Sequence, residues 1–304
     1  MGTPEFAVPS LKLLYENNYK IESVVTVPDS RKGRGLKISE SPVKVFAHQN
    51  NLNILQPVNL KDIEFENQIR FLEPDLIIVV AFRILPKEIF NIPKYGSFNL
   101  HASLLPKYRG AAPINWAIIN GESETGVTSF FLKEKVDTGN IIIQKRTEIM
   151  TDDNAGTLHD KLTFLGAQVV LETVRMIESG NNSVTEQDNS LASAAPKIFK
   201  EDCFIRWNQQ SRDIHNLIRG LSPYPGAYTH IENKSVKILK SLLSENKSND
   251  TAGKIFIESR RLYVNADDKL LEICELQPEG KKRMSASDFI NGLDKDKLSG
   301  YTFN

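Results

Sequence analysis

Residues 75–81 read Asp-Leu-Ile-Ile-Val-Val-Ala, and this run decides the fold class. It has the length of a strand, it is rich in β-branched residues, and its apolar core is not broken by polar alternation. A strand of this kind is covered on both faces, as in the parallel sheets of α/β proteins. The longest apolar run, 76–82, is far shorter than the ~20 residues that span a bilayer. We therefore expect a buried sheet strand and no membrane segment.

Helical patterns alternate with further strand-like runs over the first 180 residues. Ser41-Pro42 is typical of a helix start, with an N-cap serine and a proline at the first helical position. The other predicted strands are 21–27, 97–101, 126–132 and 141–145, and the other predicted helices are 112–121 and 157–180. Strands that alternate with helices indicate a parallel, doubly wound α/β sheet, which we assign to a domain at residues 1–184.

The beginning of the sequence lacks the strand that normally opens such a sheet. Gly2-Thr3-Pro4 has the character of the glycine-bearing turn between a first strand and its helix. No strand-forming run precedes that turn in this sequence. Either such a segment lies upstream, or the sheet has one strand fewer.

The pattern changes after residue 184. Residues 185–202 are polar, rich in serine and alanine and interrupted by Pro196, which predicts a linker. In residues 203–304 a helical stretch is followed by five short strand-like runs, at 227–231, 235–240, 254–257, 262–264 and 270–275. Five short strands in so small a space favour a small OB-like β-barrel as the C-terminal domain.

Bulk composition excludes several classes of protein. Lys+Arg and Asp+Glu both number 38 among 304 residues, so nucleic-acid binding would need a local patch of charge. Two cysteines, Cys203 and Cys274, suggest neither a disulfide framework nor a Cys-based metal site. No signal-peptide pattern is visible. We expect a cytoplasmic protein without a metal.

The residues best suited to chemistry lie in the predicted strand 97–101, Ser-Phe-Asn-Leu-His. Alternation places Asn99 and His101 on one face, roughly 6–7 Å apart, at the carboxyl end where open α/β sheets bind ligands. A histidine can take a proton from an attacking amine, and an asparagine amide can donate to the oxygen of a tetrahedral intermediate. The pair predicts acyl transfer to nitrogen. A carboxylate beside the imidazole would fix its tautomer and stabilise its charged form, and Asp137 could supply it.

A plainer interpretation of these residues stays open at this point. A single histidine in a strand is usually a structural residue with satisfied hydrogen bonds. Asp137-Thr138-Gly139 is, by itself, a good turn. Spacing and composition do not decide between the two interpretations.

An ordered series of separate motifs gives further evidence about function. These are Phe98–Pro106, Arg109–Ile114, Glu124–Thr128 and Asp137–Gly139, together with Gly2–Ala7, Gly33–Gly35, Ser41–Lys44 and Pro223–Ala227. The series resembles the folate-dependent formyltransferases, most closely the branch whose acceptor is the methionine on initiator transfer RNA. The likeness covers nearly the whole chain and fades after about residue 240. It implies a Rossmann-like catalytic domain at 1–184, an OB-like tRNA-binding domain at 203–304, and 10-formyltetrahydrofolate as co-substrate. It also implies that the family's usual start lies several residues upstream of Gly2-Thr3-Pro4.

The resemblance also implies roles for individual residues. Asn99, His101 and Asp137 match the family's catalytic trio. The residues implied to contribute to folate binding are Ser103, Leu104, Leu105 and Pro106. The resemblance further implies that two loops form the pterin pocket. The first contains Ala81, Phe82, Arg83, Ile84 and Leu85, and the second contains Lys133 and Val136. Several members have Tyr-Gly where this chain has Phe82-Arg83. A basic loop with Arg31, Lys32, Arg34 and Lys37 matches the loop that grips the tRNA acceptor stem through phosphates.

Three functions remain as hypotheses. The first is formylation of initiator methionyl-tRNA by a monomeric enzyme. The second is a sibling enzyme with the same trio, either a sugar-amine formyltransferase or a formyltetrahydrofolate hydrolase. The third is an inactive RNA-binding relative. A glycinamide ribonucleotide formyltransferase fits less well, because that class lacks a comparable second domain.

Overall fold

The computed structural model describes residues 1–32, 37–180, 183–248, 250–292 and 301–304. The chain divides into two compact units. The first consists of residues 1–110, 124–148 and 159–195, and the second of residues 111–123, 149–158 and 196–304. The segment predicted as a linker is divided between them, since residues 185–195 belong to the first unit.

Short strands and helices alternate along the first unit. Its strands are β1 Val24–Val25, β2 Ser30–Lys32, β3 Lys37–Ser39, β4 Ile54–Leu55, β5 Ile77–Val80, β6 Ser97–His101, β7 Arg109–Gly110, β8 Glu124–Phe131, β9 Ile141–Glu148 and β10 Ala194–Ala195. Its helices are α1 Val8–Glu16, α2 Pro42–Gln49, α3 Ile63–Leu72 and α4 Lys87–Phe90; α5 Pro113–Ile119 lies in the second unit, and α6 Ala155–Glu178 begins there and continues into the first. The Ser41 cap is confirmed, because its Oγ accepts a hydrogen bond from Lys44 N–H at 3.1 Å.

The main sheet of this unit has the strand order β5-β6-β8-β9. β5 and β6 are parallel, whereas β6–β8 and β8–β9 are antiparallel. The expectation of an all-parallel sheet is therefore wrong for its second half. β8 and β9 are joined by residues 132–140 without a crossover helix, and so short a connection permits only antiparallel pairing.

The backbone of Met1 and Gly2 lies between β1 and β5. Gly2 N–H donates to Val25 O at 3.0 Å, and Val80 N–H donates to Met1 O at 2.9 Å. Gly2 also forms a parallel bridge with Val80. These two residues therefore occupy the position where an opening strand was expected, and they connect the β1–β4 pair to the main sheet.

Beyond Met1 the space between β1 and β5 continues as a cavity of about 470 Å³. Apolar side chains line it, among them Leu14 of α1, Ile69 of α3 and Val174 of α6. The Met1 amino group borders this cavity and donates to Ile78 O at 2.7 Å. Burial lowers the pKa of this amino group to about 5, because an ammonium ion loses hydration there.

The second unit is built mainly of antiparallel strands. They are β11 Ala227–Ile231, β12 Lys234–Lys247, β13 Ile255–Glu258, β14 Arg261–Asn265, β15 Lys269–Pro278 and β16 Met284–Ser285, with helices α7 Ser211–Leu221 and α8 Ala286–Asn291. The strand order is β11-β12-β15-β14-β13, and β16 pairs with β15. Glu232 and Asn233 both have positive φ, which gives the two-residue hairpin that suits the twist of β11 and β12.

The last four residues close this sheet into a barrel. Phe303 N–H donates to Gly253 O at 2.8 Å, just before β13, and Ile255 N–H donates to Tyr301 O at 3.1 Å. Asn304 exchanges two backbone hydrogen bonds with His230 of β11, each 2.9 Å long. Both edges of the sheet are thereby paired, as in a small OB-like barrel.

Candidate active site

The two faces of β6 point in different directions, as the sequence predicts. Ser97 Oγ donates to Phe90 O at 2.7 Å, at the end of α4. Leu100 packs instead on Gly166 of α6, where an added Cβ would lie 2.7 Å from Leu100 Cδ2. This alternation fixes the directions of the polar residues on the strand.

Asn99 lies in the middle of the sheet, between Val79 of β5 and Phe130 of β8. Its side chain is half-buried. Within the described ranges its amide has no hydrogen-bond partner. A half-buried amide that no neighbour uses is free to donate to a bound molecule.

His101 ends β6 and is 6 % exposed. Its Nε2 lies 2.8 Å from Tyr108 O. A carbonyl accepts hydrogen bonds and cannot donate them, so this contact assigns the proton to Nε2. In the neutral ring Nδ1 then keeps the lone pair and is the nitrogen that can take up a proton.

Asp137 faces that nitrogen. Its Oδ2 is 3.8 Å from His101 Nδ1, which is longer than a direct hydrogen bond but close enough to stabilise an imidazolium ion. The same oxygen accepts a hydrogen bond from Gly110 N–H at 2.9 Å. Asp137 is buried and its backbone is in the left-handed region, with φ 54°. The position of the carboxylate is thus fixed by burial and by the hydrogen bond from Gly110 N–H.

These three side chains provide complementary chemistry. An amide donor can stabilise negative charge on a carbonyl oxygen, an imidazole lone pair can accept a proton from an amine, and a carboxylate can stabilise the resulting cation. The sequence prediction assigned the tautomer of His101 to Asp137. In the structure the Tyr108 carbonyl fixes the tautomer, and Asp137 acts through its charge.

The segment predicted to bind folate beside β6 is rigidly held. Thr128 Oγ1 donates to Ser103 O at 2.7 Å and accepts from Leu105 N–H at 3.2 Å. Gln144 Nε2 donates to Leu105 O at 2.9 Å. Ser103 Oγ donates to Lys107 O at 2.6 Å, so this hydroxyl is used within the loop. Leu104 and Pro106 are half-buried, and they are the members of the segment whose side chains remain accessible.

The two predicted pterin loops lie next to each other. Lys87 lies two residues after the first loop, and Glu134 lies in the second. Lys87 Nζ and Glu134 Oε1 form an ion pair of 3.2 Å that connects the two loops. Ile84 and Val136 are 73 % and 47 % exposed, which leaves apolar contact area on both loops. Leu85 is instead buried in the core of the unit, and Lys133 Nζ donates to Asn140 Oδ1 at 2.8 Å. Ala81 has a positive φ of 48° at the end of β5.

Arg83, where the sequence departs from the family's Tyr-Gly, braces a neighbouring segment. Its Nη1 and Nη2 donate to Val58 O at 2.9 Å and Pro57 O at 2.6 Å, and its guanidinium lies 5.3 Å from the centre of the Phe82 ring. Burial lowers the pKa of Arg83 from its ordinary value. Both terminal nitrogens of Arg83 are therefore used to hold residues 57 and 58.

Three site contributors were not found from the sequence. The Tyr108 carbonyl, the Gly110 N–H and the side chain of Gln187 all contact the trio or the turn that carries it. Two of them are backbone groups, which leave no sequence signal of their own. Gln187 lies in segment 185–202, whose polar composition predicted a linker.

The basic loop is only partly described. Arg34 lies outside the described residues, and Arg31, Lys32 and Lys37 are on two short strands, β2 and β3, that pair antiparallel. The prediction of a loop was therefore wrong for Arg31, Lys32 and Lys37. Elsewhere in the described ranges, no group of three or more His, Cys, Asp or Glu side chains is arranged to hold a metal. None of the described helices is long and apolar enough to cross a membrane.

Comparison with known proteins assigns the class. The N-terminal formyl transferase family matches residues 1–174, and the formyl transferase C-terminal domain family matches residues 197–294. This chain therefore belongs to the formyl transferases. Proteins named methionyl-tRNA formyltransferase are similar over nearly the whole length. The one from Flavobacterium johnsoniae is 47 % identical over 96 % of this chain and 95 % of its own, and the one from Caldanaerobacter subterraneus is 46 % identical with the same coverage.

Solved structures agree with the fold. A sugar 3N-formyl transferase, WlaRD, solved with dTDP and 5-N-formyl-THF, has a TM-score of 0.68 at 24 % identity and covers 92 % of this chain and 97 % of its own. A methionyl-tRNA formyltransferase from Clostridium thermocellum has a TM-score of 0.54 at 16 % identity, with 89 % and 96 % coverage. At these identities the likeness establishes the Rossmann-like and OB-like architecture alone.

Proposed function

We propose that this protein transfers the formyl group of 10-formyltetrahydrofolate to the amino group of the methionine on initiator tRNA. The observation that carries the chemistry is the amide of Asn99, which has no hydrogen-bond partner among the described residues and lies two residues along the strand from a histidine that keeps its lone pair on Nδ1. The acceptor follows from the named relatives, which match almost the full chain. Without a proton acceptor and an oxyanion donor together, transfer between two nitrogens would be slow.

His101 acts as the base in this scheme. Nδ1 takes the proton that the methionine amine loses as it attacks the formyl carbon. Asp137, 3.8 Å away, stabilises the imidazolium that forms, and the Tyr108 carbonyl keeps the other nitrogen in its donor role. The proton then passes to the folate nitrogen as its bond to the formyl carbon breaks. One C–N bond forms, one breaks, and no oxidant or metal is required.

Asn99 supports the same step from the carbonyl side. Its NH₂ group donates to the formyl oxygen as negative charge develops there. Such a donor is worth most in a site that is already shielded from water. The half-buried position of Asn99 between two strands meets that requirement.

The folate co-substrate supplies the formyl carbon, and the residues near β6 fit it. The exposed side chains of Ile84 and Val136 offer apolar contact to a flat ring, while the backbone of the same loops offers hydrogen bonds. Leu104 and Pro106, which follow β6 in the chain, add two half-buried apolar side chains. We place the reaction in the cytoplasm, where initiator tRNA is used, and expect a monomer.

The function is tested by supplying purified protein with methionyl-tRNA and 10-formyltetrahydrofolate and weighing the products by mass spectrometry. The proposal predicts a gain of one formyl group on the methionine. Parallel reactions with a dTDP-linked amino sugar, or without an acceptor, test the siblings. Formylated sugar, or formate without any formylated acceptor, would instead assign the chain to one of those functions. Binding of tRNA with no transfer to any acceptor would support the inactive RNA-binding relative.

Arg34 provides a test of the tRNA acceptor. We expect Arg34→Ala to weaken tRNA binding and to reduce its salt dependence by about one phosphate contact, with turnover at saturating tRNA little changed. Filter binding at several salt concentrations measures both quantities. Arg70→Ala is the matched control, because it removes an exposed arginine that is paired with Glu66 on α3. Identical behaviour of the two variants would contradict a role of Arg34 in tRNA binding.

A further inference from the structure

Gln187 occupies an unusual position for a residue in a polar, serine-rich segment. Its side chain is buried, with 5 % of the residue exposed. Burying an amide without partners would be costly, and four hydrogen bonds offset that cost for Gln187. All of its hydrogen-bond partners lie in the first unit, either in the turn that carries Asp137 or at Arg109.

The amide nitrogen of Gln187 donates two hydrogen bonds to this turn. One goes to Asp137 O at 3.0 Å, and the other goes to Gly139 O at 2.7 Å. Both acceptors are backbone carbonyls, one on each side of Thr138. Both hydrogen bonds from the Gln187 side chain to the turn therefore go to backbone atoms of the turn.

Arg109 fixes the opposite end of the same amide. Gln187 Oε1 accepts from Arg109 Nε at 3.1 Å and from Arg109 Nη2 at 2.7 Å. Because arginine can only donate and the two carbonyls can only accept, the amide has one possible orientation. Both hydrogens of its nitrogen and both lone pairs of its oxygen are used.

The next residue completes the connection to the carboxylate. Arg109 and Gly110 form β7, which pairs in parallel with β10 at Ala194 and Ala195. Gly110 N–H donates to Asp137 Oδ2, so one two-residue strand holds the carboxylate directly and the backbone of Asp137 through Gln187. This double attachment matters because Asp137 has a positive φ of 54°, a conformation that an aspartate rarely keeps without support.

From this arrangement we propose that Gln187 is a positioning residue for formyl transfer: its amide holds the turn 137–139 so that the Asp137 carboxylate stays 3.8 Å from His101 Nδ1. The proposal rests on the proposed function. Gln187 itself touches neither His101 nor Asn99 and takes no part in proton transfer. Gln187 acts by fixing the position of the Asp137 carboxylate, whose negative charge faces the imidazolium.

The proposal is tested with Gln187→Ala and Gln187→Glu in the full-length protein. Gln187→Glu keeps the volume and the Arg109 contact but removes both donors to the turn. We expect kcat to fall on the order of 10–100-fold in both variants, with KM for tRNA and for 10-formyltetrahydrofolate within about threefold, since misplacing a catalytic group by about 1 Å costs rate rather than binding. Gln56→Ala is the matched control, because Gln56 also donates to two acceptors, Val27 O and Asp29 Oδ1.

A second measurement does not depend on turnover. The imidazole ¹⁵N chemical shifts of His101, assigned by comparison with His101→Gln, report the surroundings of Nδ1 and Nε2. They should change in both Gln187 variants and stay unchanged in Gln56→Ala. Normal kcat and unchanged shifts in folded Gln187→Glu would overturn the proposal, leaving Gln187 as a structural tie for residues 185–195. Changed shifts in a protein that transfers no formyl group would leave the positioning intact and refute the proposed function instead.

Discussion

His101→Ala should reduce formyl transfer to methionyl-tRNA by a factor of about 10³ or more, the largest effect we expect for a single side chain. General-base catalysis alone is worth roughly 10²–10⁴-fold. The substitution also removes the cation that Asp137 stabilises and leaves the Tyr108 carbonyl without its donor. Single-turnover formylation with saturating tRNA measures the loss, and filter binding should find tRNA affinity largely unchanged.

His101→Gln separates the chemistry from the packing. A glutamine amide can still donate to Tyr108 O, but it cannot accept a proton, so activity should remain as low as in His101→Ala while stability recovers. Asn99→Ala should cost roughly 10²–10³-fold, the range for a lost oxyanion donor. Removal of the exposed imidazole of His48 on α2 is the control and should leave the rate unchanged. Near-normal turnover in His101→Gln would show that His101 is not the base.

Gly139→Ala should destabilise the first unit by on the order of 3–5 kcal/mol and reduce activity with it. A Cβ at this position would lie 1.5 Å from Phe131 O, a backbone atom that cannot move aside without breaking the β8–β9 connection. The turn itself would have to shift. Since Gln187 holds Gly139 O and Asp137 O together, that shift would carry the carboxylate away from His101. Urea unfolding and the formylation rate of the folded fraction measure the two effects.

Gly180→Ala is the matched comparison for this prediction. Gly180 has a positive φ of 72°, but an added Cβ there would meet no atom of the described residues within 4 Å. Its cost should be limited to the left-handed conformation, about 1–2 kcal/mol, with no change in activity. If Gly139→Ala were no more harmful than Gly180→Ala, the turn would be able to relax, and the tight contact with Phe131 would not constrain Asp137.

Strand and helix positions were largely predictable because they depend on local chemistry. Residues 97–101 and 227–231 were predicted with the bounds that β6 and β11 have, and the Ser41 cap begins α2 as expected. Pairing direction was less predictable. The connection between β8 and β9 is too short for a crossover, yet the general rhythm of strands and helices favoured a parallel sheet. Closure of the barrel by residues 301–304 left no periodic signal, because so short a segment has none.

The sequence by itself determined the class of chemistry: period-two alternation puts an amide and an imidazole on one side of a strand, and the ordered motifs assign them to the formyl transferases. Only the tertiary structure decided how the imidazole is used. Its tautomer depends on the Tyr108 carbonyl, and the place of its carboxylate partner depends on Gly110 and Gln187. Backbone hydrogen bonds between residues distant in sequence have no residue-type signature, so they are found only once the chain is folded.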